Sequence, residues 1–330
     1  MASSSPQFDN SFLLYTFCLI NCFRLYSPLA IMSDSAHHAH RLFVPKIQII
    51  ENNPLSHLLP YGSLILAISI ICIVLLTNCL ERWILPAVYK DICQTFERTK
   101  DERRRRSFVY FHVGSIILFC VLCSGCYPIM YFLIGDASFS TPFTKGSAVT
   151  IGDSLLVLSE VYSSYYIFEI CFRTKFASPL SIAHHTGLLV ITQTALSLFA
   201  DHDKHHEATL EFYMCMVWGT FDVIVELPIF LMMIVWRIKR HNTLLLSRMA
   251  YTCCVWQVTG AITEVAVTIY LLNRSWHRWG LEWRIITPLV FSLWITTQLY
   301  GASRLYQMGR GERQKLKAKD ELALTQEESV

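Results

Sequence analysis

Two adjoining imidazoles, His184 and His185, and two carboxylates one helical turn apart, Asp222 and Glu226, offer the most chemistry in this 330-residue chain. Imidazole exchanges protons near neutral pH, so imidazoles facing carboxylates make a proton-handling site. Such a site deprotonates an amine or a hydroxyl, or holds an acyl group on an imidazole nitrogen. The carboxylates belong to a longer series, Glu211, Cys215, Trp218, Asp222 and Glu226, whose steps of four, three, four and four put all five on one helical stripe. Gln257, Gly260, Glu264 and Thr268 form a second stripe, and Asp153 and Glu160 share a face with Ser163 and Ser164 nearby. Every one of these residues lies in an apolar run, where an ionisable side chain is costly and marks a functional candidate. The alternative role is a polar contact that only holds helices together, and Glu160 and Glu264 fit it best. His184, His185, Asp222 and Glu226 are therefore the candidate catalytic set, and Asp153, Glu160, Trp218 and Glu264 the candidate lining of a lipid pocket.

The elements that must position them are membrane helices. Hydrophobic residues make up 53% of the chain and charged residues only 16%, with a mean hydropathy of +0.38. Soluble domains carry about 25% charged residues. This composition excludes a soluble globular enzyme, a disordered chain and a nucleic-acid-binding domain, and the net charge of +3 does not call for a polyanion. Apolar windows predict seven spans near 60–80, 108–134, 148–172, 180–200, 208–236, 249–272 and 284–306. Pro128 and Pro228 are expected to kink the second and the fifth. An eighth apolar run, 12–23, is too short to span and reads as part of an N-terminal tail.

Basic residues set the orientation. Loops 80–107, 173–179 and 237–248 and the tail from Arg304 hold twenty Lys and Arg, whereas the opposite loops and the N-terminal tail hold eight. The bias alternates loop by loop, so the N-terminus is expected to be lumenal and the C-terminus cytosolic. The fold class is an all-α polytopic helix bundle. Residues 1–56 form a lumenal tail, 57–306 the bundle, and 307–330 a charged cytosolic tail that starts as a solvated helix end and continues as disorder. Consecutive antiparallel spans four and five are expected to be neighbours. At 1.5 Å per residue, His185 and Glu226 then differ in depth by only ~8 Å.

The residues in three of these spans resemble the TLC domain family, the multi-span lipid domain shared by ceramide synthases and several lipid-homeostasis proteins. The matching features are the Asp153…Glu160 segment with its run to Tyr166, His184-His185 opening the next span, and Asp222-x-x-x-Glu226 in the span after. The resemblance covers roughly residues 100–306. Ceramide synthases carry a pattern like His-Asp-x-x-Asp-x-x-x-Glu; here Trp218 and Gly219 stand at its two leading positions. The resemblance implies an endomembrane location, such as the endoplasmic reticulum, and a membrane lipid partner, for instance a sphingoid base. It implies no resident cofactor or metal, with acyl-CoA as co-substrate if the chain is an N-acyltransferase. Under that reading His184 or His185 is base or acyl acceptor, oriented by Asp222 and Glu226.

Other motifs carry less. His202-x-x-His205-His206 looks like one box of a di-iron desaturase, but one box is too few and its loop is predicted lumenal, so it reads as a solvated turn. Cys120, Cys123 and Cys126 have metal-like spacing but sit mid-span with no partner pair, and read as small buried hydrophobes. Seven spans with an outside N-terminus also fit a receptor, but the chain lacks Asp-Arg-Tyr after span three and Asn-Pro-x-x-Tyr in span seven. Asn273-Arg274-Ser275 is a glycosylation sequon on the predicted lumenal side.

Overall fold

The computed structural model describes residues 45–50, 53–173, 178–201, 204–205 and 207–327. The run at 12–23, His202 and His206 lie outside them. The helices among the described residues are α1 (Lys46–Ile49), α2 (Leu59–Val88, including a π-turn at Leu80–Ile84), α3 (Lys90–Thr99), α4 (Glu102–Leu133), α5 (Ile151–Arg173), α6 (Pro179–Leu198), α7 (Ala208–Ile238), α8 (Thr243–Ser275) and α9 (Leu281–Glu327). Six helical stretches are long and apolar enough to cross a membrane: Leu59–Val88, Glu102–Leu133, Ile151–Arg173, Pro179–Asp201, Thr243–Arg278 and Leu281–Lys319. The remaining predicted span falls on α7, which packs against α4, α6 and α8. Large apolar side chains face outward along α2 (Leu64, Ile68, Ile71, Leu75) and α9 (Ile285, Leu289, Leu299), a surface suited to lipid rather than water.

Local chemistry explains the helix ends. Ser178 caps α6 by accepting from the Ser181 N–H at 3.1 Å, and Pro179 follows at the first helical position. Asp101 caps α4 in the same way through the Arg104 N–H at 3.0 Å. Inside α7, Pro228 leaves the Ile224 carbonyl without its i+4 donor, and the Trp256 indole N–H of α8 supplies one at 3.2 Å. That substitution keeps a polar backbone group satisfied where lipid offers no alternative.

Residues 45–50 and 53–56, within the segment expected to be a lumenal tail, pack against one end of the bundle. Lys46 Nζ donates to the Gly135 and Ala137 carbonyls at 3.1 and 2.8 Å, and Arg278 donates to the Ile47 and Ile50 carbonyls at 2.7 Å each. Burial pushes the Lys46 ammonium below its ordinary pKa, and the nearby Asp136 opposes that shift. Ile47 and Leu55 are fully buried, and a Cβ on Gly152 would meet the Leu55 carbonyl oxygen at 1.9 Å, so only glycine admits the strap there. At the C-terminal end the expected solvated helix end is long: α9 runs to Glu327. Its sequence after Gly311 is rich in strong helix formers, with a Lys315–Glu312 pair at 2.5 Å.

Candidate functional site

The site forms where α5 ends and α6 begins, against the middle of α7. Arg173, at the end of α5, and His185, in the second turn of α6, meet at one carboxylate. His185 Nε2 lies 3.3 Å from Glu169 Oε1, and Arg173 Nη1 donates to that same oxygen at 2.7 Å. A carboxylate only accepts, so His185 donates through Nε2. Its Nδ1 is buried and has no hydrogen-bond partner among the described residues, so in the neutral ring it holds a free lone pair. The ring packs on Tyr166, with centroids 4.7 Å apart. Tyr166 in turn donates its hydroxyl to Asp222 Oδ2, which also accepts from the Tyr162 hydroxyl at 2.5 Å. Glu169, His185 and Asp222 are all at most 5% exposed. The result is two hydrogen-bonded groups inside a helix bundle, Arg173–Glu169–His185 and Tyr162–Tyr166–Asp222, joined where the His185 ring packs on Tyr166.

His184 takes a separate direction. Its Nδ1 pairs with the Thr297 hydroxyl at 3.1 Å and its ring lies 4.4 Å from Trp294, so it faces α9. The two histidines are thus not equivalent: one meets a carboxylate, the other a hydroxyl and an indole.

The expected partners divide accordingly. His185 and Asp222 are brought together through Tyr166. Glu226 has a buried Oε2 without a hydrogen-bond partner and does not orient either histidine by a hydrogen bond; Glu169 does that work for His185. Glu160 accepts from Gln193 at 3.1 Å, tying α5 to α6. Glu264 accepts from Gln298 at 2.7 Å, tying α8 to α9. The Trp218 indole donates to Thr268 at 3.0 Å and stacks on Phe291, tying α7 to both. Asp153 lies at the start of α5, where it edges an apolar cleft of about 700 Å³ between α2, α4 and α5. Its Oδ2 accepts from the Thr150 N–H at 2.9 Å while Thr150 Oγ1 accepts from the Asp153 N–H at 3.1 Å. That reciprocal pair is a capping box at the start of α5, and Oδ1 is taken by Ser56 at 2.5 Å.

A small cavity of about 40 Å³ adjoins the tyrosines, lined in part by Ser159, Ser163, Thr192 and Cys215. It has room for a water-sized group. On the outer side of α6 an apolar cleft of about 640 Å³ runs along the seam with α9, between Ala183, Gly187 and Val190 on one wall and Trp283, Ile286 and Val290 on the other. Among the described residues no cluster of three or more His, Cys, Asp and Glu is arranged to hold a metal ion.

Glu169, Arg173, Tyr162 and Tyr166 are the residues that sequence reasoning did not assign to the site. Glu169 and Arg173 were findable as an acid–base pair four residues apart. Tyr162 carries no spacing signal of its own. No family model, curated protein or solved structure matches the chain.

Proposed function

We propose that the chain is a TLC-domain-like integral membrane protein of the endomembrane system that binds a membrane lipid and acts in lipid or sphingolipid homeostasis. The observation that carries this reading is the buried Glu169–His185 pair joined to Asp222 through Tyr166. Polar groups assembled at that cost within apolar helices fit a ligand that is itself part polar and part hydrocarbon. The cleft between α6 and α9 supports it by offering an apolar wall beside the histidines.

A second reading, a ceramide-synthase-like N-acyltransferase using acyl-CoA, is favoured by one detail: the unpartnered Nδ1 of His185. In that reaction an amine nitrogen attacks the thioester carbonyl and the carbon–sulfur bond breaks. The amine proton passes to His185 and then to the departing thiolate, while Glu169 holds the ring in place. A lipid comparison of cells with and without the chain separates the two. Accumulated free sphingoid base with depleted ceramide supports the transferase, and a broad shift in phospholipid chains supports a regulator. An unchanged lipid profile refutes both.

The reading includes seven spans, α7 among them, with the N-terminus lumenal and the C-terminus cytosolic. The basic-residue bias supports it, and Lys46 and Arg278, two of the few basic residues on the lumenal side, are consumed by backbone carbonyls. In sealed microsomes, protease is expected to remove a tag placed after Val330 and to spare one near Ser3. A protected C-terminal tag contradicts this orientation.

A further inference from the structure

Two guanidinium groups sit side by side where α4, α5 and α7 meet at the site end of the bundle. Arg173 lies 4.4 Å over the Tyr110 ring and Arg237 lies 4.8 Å over the Phe111 ring. Those rings are themselves 5.2 Å apart, and both pack on Phe230. Of the surrounding carboxylates, Glu226 is within electrostatic reach of Arg173 but its Oε2 makes no hydrogen bond, and the others are already paired. Asp101 pairs with Arg104, Glu102 with Arg106, and Glu169 is shared by Arg173 and His185. Arg237 has no ion-pair partner among the described residues. One Nη donates to the Met233 carbonyl at 2.9 Å, its Nε is buried without a hydrogen-bond partner, and the charges that act on it are those of Arg173 and Arg104. His112, next to Phe111, adds a second such atom. Its Nδ1 is engaged by the Phe108 carbonyl at 2.8 Å, and its Nε2 is buried and unpartnered within electrostatic reach of Arg237.

Like charges held together with orphaned nitrogens are unfavourable unless an anion completes the set. We propose that Arg237, Arg173 and His112 form a binding site for the phosphate group of an ester. The shape fits the chemistry. Planar guanidinium forks match tetrahedral phosphate oxygens, and the aromatic rings beneath fix the planes of the forks. His112 Nε2 accepts from a phosphate hydroxyl, or donates when the ring is charged. Arg173 links this site to Glu169 and hence to His185, so a ligand phosphate here would be anchored one side chain from the proposed chemistry. The site stands whether or not the bound lipid is turned over.

The phosphate could belong to a lipid headgroup or to a water-soluble ester, and two arms of one experiment separate them. The full chain is placed in nanodiscs of phosphatidylcholine and titrated with pyrophosphate, and in parallel placed in nanodiscs containing phosphatidic acid. Thermal unfolding is read in both. Stabilisation by pyrophosphate assigns a soluble ester, and stabilisation by phosphatidic acid alone assigns a headgroup. In the responding arm Arg237→Gln is expected to weaken binding by about tenfold, the loss of one charge-assisted fork. Should Arg237→Gln not fold, Arg237→Lys keeps the charge and loses the fork, and is expected to weaken binding by about threefold or more. No stabilisation in either arm, or equal binding by the wild type and the variant that folds, overturns the proposal.

Discussion

Under the N-acyltransferase reading, replacing His185 with Ala is expected to lower turnover by about 100-fold to 10,000-fold, the range typical of losing a positioned acid–base group. The change removes the buried, unpartnered imidazole nitrogen beside Glu169 and Tyr166, and Ala preserves helix propensity in α6. Expression and membrane insertion should be unchanged. His184→Ala should have a smaller effect, because that ring pairs only with Thr297 and packs on Trp294. Replacing His202, His205 and His206 with Ala should alter the rate by less than about twofold, because the sequence reads that loop as a solvated turn. The test is the rate of conversion of a labelled lipid in membranes carrying matched amounts of each variant. An inert His185 with an essential trio in that loop would move the chemistry away from the His185 site.

Glu169→Ala should be the most destabilising single change in the site, by about 3–5 kcal/mol. Glu169 is 3% exposed and its Oε1 is the common partner of Arg173 and His185. Removing it strands a guanidinium and an imidazole, and stranding a buried group costs more than the pair contributed when intact. Arg173 keeps a quarter of its side chain exposed, so part of that cost is relieved by solvent and the lower end of the range is expected. Glu169→Gln keeps an acceptor in the same place and should lose less than half as much. Thermal unfolding of the purified variants in one detergent checks both. A Glu169→Ala loss below about 1 kcal/mol would show that the pair is not a structural unit.

Much of the helical layout is legible in the chain, because lipid imposes length and apolarity on a spanning helix and these are local properties. Each predicted span coincides with a helix, and Ser178-Pro179 marks the start of α6. The Thr150-x-x-Asp153 capping box was equally readable, yet Asp153 drew attention as an intramembrane acid. A carboxylate at the third helical position serves the helix start, and here the same side chain also edges the cleft between α2, α4 and α5. The site was legible in part. His185 and Asp222 announce themselves as costly groups in apolar runs. Their partners do not, since Tyr162 and Tyr166 look like ordinary aromatic packing until α7 brings Asp222 against them. Arg173 was read only as a topology charge, although it also donates to Glu169. The solvated helix end expected beyond residue 307 extends farther than expected, to Glu327, for a different reason. Apolar patterning is silent about a solvated helix that continues an established one, where nucleation is no longer required.

The central claim is that the site of Glu169, His185 and Asp222 acts on a membrane lipid. It is tested most directly by the lipid composition of cells from which the protein is removed, then restored as the wild type or as His185→Ala at equal abundance. Removal should shift a specific lipid class, the wild type should return it to its original level, and His185→Ala should leave it where removal put it. Restoration by His185→Ala as complete as by the wild type would contradict the claim.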